Sequence, residues 1–355
     1  MRRAFFIMNI IFMTAFPAVM FASAPPQDKE TALNGVYASR KDLHALFDAK
    51  TREATADGGG FLVNLDDWAR QYGWREYKSL SSFAPTTAFI PQPKRGKALS
   101  DVGAKAFIVI DRASGLILAE KDAGKPWPIA SITKLVTADV VLATGVARTK
   151  IQAVEAKDDV GGAKLYVQSG TGFTVDDLFY AALVGSANNA ANALSRSTGL
   201  NRDVFVAAMN KRASDLHLVR THFVDPSGIE PGNVSTPREL ALLVSAIFSR
   251  PEVKSYTSTA KHVIHVQGTQ EIKQMKSTDW LLWKPEHTDV YVTSGKTGFL
   301  DESGWNFAVS LRKNASDRTR ELLIVVFGAD SRADSFTDTK KLATWTWASY
   351  VWKKH

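Results

Sequence analysis

Lys134 stands in a segment that is apolar on almost every side. Ile132, Leu135, Val136, Ala138, Val140, Val141, Leu142 and Ala143 surround it, which predicts a buried helix over 131–144, stopped by Gly145. A lysine that loses water there is costly unless it is paired or neutral; a stem reaching out to solvent is the bland alternative. Ser131 lies one turn earlier, so at i and i+3 its hydroxyl and the lysine amine share a face. A serine beside a base is the arrangement of nucleophilic catalysis, and at a helix start its backbone N–H also turns outward, ready to stabilise an oxyanion. Two later positions carry matching chemistry. Gly185 interrupts an Ala-rich helical stretch and Ser186-Ala187-Asn188 follows, offering a hydroxyl and an amide at a helix break. Lys296-Thr297-Gly298 ends a strand-like run. Ser-x-x-Lys alone recurs by chance. The three in this order are a specific signal for a serine nucleophile with a lysine base, a second serine with an asparagine, and a cationic strand edge.

Such residues need a frame. Apolar runs at 106–110 and 116–119 flank a polar turn and predict a β-hairpin. Thr174-Val175-Asp176-Asp177 and Thr236-Pro237-Arg238-Glu239 each open a helix, with a capping residue and acids in the first turn and, in the second case, Pro at the first helical position. Runs at 289–293, 305–311 and 322–327 predict adjacent strands, followed by a helix from about 337 to 353. Helices inserted between a leading hairpin and three trailing strands give an α+β fold: an antiparallel sheet with packed helices plus an all-helical lobe, and the site between them.

Three regions are expected: a leader over 1–24, an appendage and linker over 25–97, and a catalytic domain over 98–355. Arg2 and Arg3 precede an apolar run that closes on Ala22-Ser23-Ala24, the pattern of a secretory signal, so the protein is expected to be exported. Pro25 after that site, and a run near the length of about 20 residues that spans a bilayer, make an uncleaved anchor the alternative; Asn9, Thr14 and Pro17 interrupt it. Helix-like stretches at 41–50 and 65–71, a Gly58-Gly59-Gly60 run and Pro85, Pro91 and Pro93 mark the appendage. Its Trp68, Trp74 and Tyr77 suit packing of a small helical lobe better than a binding patch.

Composition excludes much else. Hydrophobic residues at 45% and aromatics at 10% place the 355-residue chain among folded proteins with a large core. The net charge of +8 is spread too thinly to argue for nucleic acid; an anionic envelope surface or a carboxylate-bearing substrate fits it as well. There is no cysteine, which removes disulfides, zinc-thiolate sites and thiol catalysis together.

The residues around the three motifs resemble the low-molecular-mass penicillin-binding proteins, serine D-alanyl-D-alanine peptidases that act on bacterial cell walls. Pro128-Ile129-Ala130-Ser131-Ile132-Thr133-Lys134-Leu135 looks like the family's nucleophile segment, and Ser186-Ala187-Asn188-Asn189-Ala190-Ala191-Asn192 like its second motif. His222-Phe223-Val224-Asp225-Pro226-Ser227-Gly228-Ile229, running on to Ser235-Thr236-Pro237, is similar to a further signature. Asn189 departs from the Asp expected beside the second motif. The resemblance implies a β-lactamase/transpeptidase-like fold and no metal or cofactor. Ser131 would attack a D-alanyl carbonyl, Lys134 would be its base, held neutral by burial and by the charge of Lys296, and Ser186 would pass a proton to the leaving amine. Asn188 would hold the substrate's peptide group and orient Lys134, while Lys296 and Thr297 would meet its carboxylate. Gly298 would let an extended peptide lie against the strand edge, and the backbone N–H groups of Ser131 and Phe299 would form the oxyanion hole. Peptidoglycan stem peptides are the implied partners, with β-lactams as covalent inhibitors. Only residues 299–355 follow the third motif, which together with the Pro-Ile-Ala-Ser-Ile-Thr-Lys segment looks like the endopeptidases that open cross-links; a carboxypeptidase is the alternative.

Other readings fit worse. No serine has Gly two positions before and after it, so the hydrolase elbow is absent, and Val290 stands where a P-loop before Lys296 needs its first glycine. His262 and His265 lie in a strand-like run without a carboxylate partner and are read as structural. A class A β-lactamase needs Glu-x-x-Leu-Asn after the second motif, but Glu30-Thr31-Ala32-Leu33-Asn34 precedes the nucleophile. A non-catalytic penicillin-binding sensor would keep acylation and lose turnover, and the intact motif set argues against it. Leu342, Trp345, Tyr350 and Trp352 with Lys353 and Lys354 suit a lid on the sheet, with peripheral membrane contact as the alternative.

Overall fold

Apolar runs from both ends of the region after residue 98 meet in one sheet. A computed structural model describes residues 89–94, 98–99 and 101–354; the leader, the 41–50 and 65–71 stretches with Trp68, Trp74 and Tyr77, and Glu30 to Asn34 lie outside the described residues. In chain order the elements are β1 (Phe89–Pro93), β2 (Ala106–Asp111), β3 (Ile117–Lys121), β4 (Trp127–Pro128), α1 (Thr133–Ala143), β5 (Ile151–Val154), β6 (Thr171–Thr174), α2 (Val175–Leu183), α3 (Asn188–Arg196) and α4 (Arg202–Asp215). They continue with β7 (Val234–Ser235), α5 (Pro237–Phe248), α6 (Pro251–Thr257), β8 (Lys261–His265), β9 (Ile272–Lys276), β10 (Tyr291–Leu300), β11 (Gly304–Arg312), β12 (Leu322–Ala329), α7 (Arg332–Ser349) and β13 (Tyr350–Lys354). Contacts divide the chain into two units, the second of which spans Thr87–Leu216 and Arg220–His355. All that follows lies in the second unit.

Five strands pair antiparallel in the order β10-β11-β12-β2-β3. Every residue of β2 and β12 is buried, which requires cover on both faces. Leu322, Ile324 and Val326 share a core layer with Phe336, Leu342 and Ala343 of α7 and with Trp352, while α5 lies against β2 and β12. Burying a side chain of this size contributes about 1.5–3 kcal/mol.

Both expected helix starts carry their caps. Thr174 Oγ1 accepts from Asp177 N at 3.0 Å, and Thr236 Oγ1 accepts from Glu239 N at 3.1 Å with Pro237 beginning α5. The helix expected over 337–353 is shifted: Ser331 caps it at Asp334 N, and it ends at Ser349. The segment Tyr350-Val351-Trp352 favours a strand and finds a partner in β1. Trp352 Nε1 donates to Asp111 Oδ1 at 2.8 Å and Tyr350 OH to Leu118 O at 2.9 Å, so the aromatics close the sheet.

The second lobe holds α1 to α4 and α6, and to these helices it adds two hairpins, β5–β6 and β8–β9. Neighbours α2 to α6 surround α1, which accounts for its lack of a polar side. Residues 133–141 are all buried, Lys134 among them. No helix of the described residues is long and apolar enough to cross a membrane.

Candidate active site

The helix expected from Ser131 begins at Thr133, because a 3-10 turn over Ala130–Ile132 precedes it and carries the serine. Ala130 has φ +51, a left-handed conformation that costs a non-glycine residue about 1–3 kcal/mol. Its neighbours hold it there. Ile129 N donates to Asn233 O at 2.9 Å, and Asn306 Nδ2 donates to Pro128 O at 2.8 Å. Gly228, at φ +80, lies so close that a Cβ would stand 2.0 Å from Ala130 O. A Cβ on Gly298 would meet Ile129 O at 2.7 Å and Ser131 N at 3.2 Å. Gly298 thus also permits a close approach of β10 to the serine turn.

Lys134 is 1% exposed, and burial pushes its amine down to about 7, with the Asp225 carboxylate working the other way. Its Nζ donates to Asn188 Oδ1 at 2.7 Å and to Ser227 O at 2.6 Å, and lies 2.7 Å from Ser131 Oγ. The Asn188 amide is oriented by its own Nδ2, which donates to Gly161 O at 2.8 Å. Both of those partners of Lys134 can only accept. A neutral amine therefore spends its two protons on them and turns its lone pair toward the serine hydroxyl.

Asp225 braces the loop beneath this amine. It is 1% exposed; Oδ1 accepts from Ser227 N at 2.6 Å, Ser227 Oγ at 2.6 Å and Gly228 N at 2.8 Å, and Oδ2 accepts from Glu230 N at 3.0 Å and Asn233 Nδ2 at 2.5 Å. Thr137 Oγ1 donates to Pro226 O at 2.5 Å from the α1 side. The loop thus supports the base through the Ser227 carbonyl and the serine turn through Gly228.

Ser186 sits between α2 and α3 at φ +60, and Lys296 Nζ donates to its Oγ and to Thr297 O, both at 2.8 Å. Burial, then the cations of Lys134 and Arg332, hold Lys296 well below the ordinary lysine range, with Asp279 opposing. Burial lowers both amines, and the repulsion between the two cations opposes the charging of either. Thr297 Oγ1 donates to Thr278 Oγ1 at 2.7 Å.

Ser131, Ser186, Asn188, Thr297, Gly298 and Phe299 line one cleft of about 520 Å³, with Lys134 and Lys296 buried beneath it. Thr278 and Arg332 also line the cleft, and sequence reasoning missed both. Arg332 donates through Nη2 to Thr278 O at 2.9 Å, and its guanidinium carbon lies 5.0 Å and 5.4 Å from the Trp280 and Trp305 ring centroids. One signal was present: Arg332 opens α7, where the helix dipole disfavours a cation. Phe299 is 43% exposed and stacks on Trp305 with centroids 4.4 Å apart. His262 lies outside the cleft and stacks on Tyr180. The arrangement places a hydroxyl beside an amine able to be neutral at physiological pH, a second hydroxyl on a second amine, and an open strand edge.

Residues 92–331 match the peptidase S11 family, described as D-alanyl-D-alanine carboxypeptidase. The chain belongs to that family. This S11 chain is 29% identical over 243 residues to a D-alanyl-D-alanine endopeptidase of Haemophilus influenzae, covering 67% of this chain and 80% of the relative. It is 28% identical over 267 residues to a D-alanyl-D-alanine endopeptidase of Pseudomonas aeruginosa, covering 74% and 84%. Penicillin-binding protein D2 from Listeria monocytogenes, solved in a cefotaxime-bound form, matches with a TM-score of 0.62 and 29% identity over 71% of this chain and all of that one. The S11 chain is thus a low-molecular-mass penicillin-binding protein and a serine-type D-alanyl-D-alanine peptidase, a hydrolase with an α+β peptidase fold.

Proposed function

We propose that this S11 peptidase is a periplasmic D-alanyl-D-alanine endopeptidase that opens peptidoglycan cross-links through an acyl-enzyme on Ser131, and that penicillin acylates the same serine. The observation that carries the chemistry is the Lys134 amine, whose two acceptor partners leave its lone pair for Ser131 Oγ at 2.7 Å. Lys134 takes the serine proton as Oγ attacks the D-alanyl carbonyl, and the backbone N–H groups of Ser131 and Phe299 receive the oxyanion. Ser186 gives its proton to the leaving amine and regains one from the Lys134 ammonium, which returns Lys134 to the neutral form; water then enters, Lys134 takes a proton from it as its oxygen attacks the acyl carbon, and Lys134 hands that proton to Ser131 Oγ as the acyl group leaves. Thr297 and Arg332 offer a hydroxyl and a cation to a substrate carboxylate. Cross-link cleavage is supported by the two endopeptidase relatives, matched along 80% and 84% of their lengths, and by an exposed rim at Phe299, Asp301 and Glu302. The leader over 1–24 supports export. Burial of Leu342 and Trp352 leaves the terminal segment little apolar surface for a membrane, so membrane contact forms no part of the proposal.

The test is to label the protein with a fluorescent penicillin and to digest purified cross-linked dimers and monomeric pentapeptides. Label is expected on Ser131 and absent from Ser131→Ala, with dimers converted to monomers faster than pentapeptides lose D-alanine. Label on another residue overturns the nucleophile; release of D-alanine with dimers untouched leaves a carboxypeptidase.

A further inference from the structure

Beside the cleft lies a second, larger groove of about 730 Å³. Three segments pass from one to the other. Gly162 and Ala163 line the cleft, whereas residues 164–169 line the groove. Asn188 faces the cleft and Asn189 the groove; Thr278 borders the cleft, while Glu271 and Lys273, just before it in the chain, border the groove. The wall between them is a single irregular stretch of chain, and α3 clamps it. Asn188 N donates to Ala163 O at 2.7 Å, Leu165 N donates to Asn189 Oδ1 at 2.9 Å, and Asn189 Nδ2 donates to Leu165 O at 2.8 Å. An ionised Asp at 189 would accept the first of these two Leu165 bonds and lose the second. The departure at Asn189 therefore has a structural use: it fixes the wall.

The chemistry of the groove is amphoteric. Its cations stand in pairs with carboxylates, Lys164 with Asp159 and Lys273 with Glu271, each at 2.7 Å. Tyr166 is 76% exposed, with the Lys164 ammonium 5.9 Å from its ring centroid. Paired charges around an exposed ring suit a peptide that carries its own amines and carboxylates, better than a polyanion or an apolar ligand. Removing one terminal residue would occupy the cleft alone. Cutting a cross-link releases a whole second stem.

We propose that this groove binds the leaving-side stem peptide of a cross-linked substrate. Ser186 protonates the leaving amine, and Ser186 to Asn189 is one of the segments by which the cleft joins the groove, so the branch departing from that amine crosses the 162–165 wall. The assignment rests on the endopeptidase reading and adds the determinant of its preference for dimers.

Tyr166→Ala and Lys273→Ala test it, assayed with purified cross-linked dimers, monomeric pentapeptide and fluorescent penicillin. Both variants should take up penicillin at the wild-type rate while KM for dimers rises about tenfold and kcat stays within about twofold. Wild-type KM for dimers in both variants overturns the groove and leaves the endopeptidase reading standing. Equal losses on penicillin and dimers also overturn it, since the groove would then support the fold alone. A wild-type protein that is labelled on Ser131 yet leaves dimers intact overturns the endopeptidase reading, and the groove assignment with it.

Discussion

On the floor of the cleft the functional groups are buried and held, whereas at its rim the side chains stand in water. Lys134, Ser186, Asn188, Lys296 and Thr297 are each at most 6% exposed, and each has a hydrogen-bond partner. Phe299, Asp301 and Glu302 are exposed, on or beside the turn between β10 and β11. In the proposed mechanism the floor holds reacting atoms in one geometry whatever the substrate, which offsets the cost of burying two amines. The rim and the neighbouring groove meet the parts of a substrate that differ between candidates. Floor substitutions should therefore abolish chemistry, and rim substitutions should shift preference.

The hardest test of that division is Lys134→Ala. Penicillin acylation should fall about 10³-fold or more while the circular dichroism spectrum stays native, because the variant loses a base together with a buried amine. An unfolded variant would make Lys134 a structural residue. Asp225→Asn should have an intermediate effect. In the proposed mechanism acylation requires neutral Lys134, so the rate should rise with pH through about 7 in the wild type. The Asp225 charge raises the lysine's pKa, so removing it should move the acid limb to lower pH, while the two lost acceptor sites lower the maximal rate about tenfold. A limb that stays in place as the rate falls would show that Asp225 holds the loop without setting the charge of the base. The smallest effect belongs to the rim. Phe299→Ala keeps the backbone N–H and loses the stack on Trp305, worth about 0.5–1.5 kcal/mol, so penicillin acylation should change by less than about fivefold. A hundredfold loss would place that side chain on the floor.

Much of this was legible from residue types. Lys134 announced itself as a charge in an apolar helix, and the caps at Thr174 and Thr236 announced helices whose first turns needed partners. The antiparallel strands were legible from their apolar runs. The rest depends on contacts between distant parts of the chain. A backbone carbonyl such as Ser227 O has no signature in a sequence, and the role of Asp225 is visible only once its loop lies beneath Lys134. Arg332 and Thr278 reach the cleft from a helix start and from the end of the β8–β9 segment. Spacing alone could not show that the room at Gly298 is also needed by the serine turn. Nor could it show that Arg332 and Asp279 stand near Lys296 with opposing charges.

The position of β10 at the edge of the sheet also bears on colloidal behaviour. Among the described residues no strand pairs with the outer edge of β10, and an edge able to take an extended peptide would as readily take the edge of another copy. At the opposite edge β3 ends in exposed Glu120 and Lys121, charges that discourage such pairing. β10 has no such run of charge, and instead the Ala130–Ile132 turn and α6 lie against it. A recessed edge is open to one narrow strand and closed to a whole sheet, a geometry that would work against polymerisation of the protein itself.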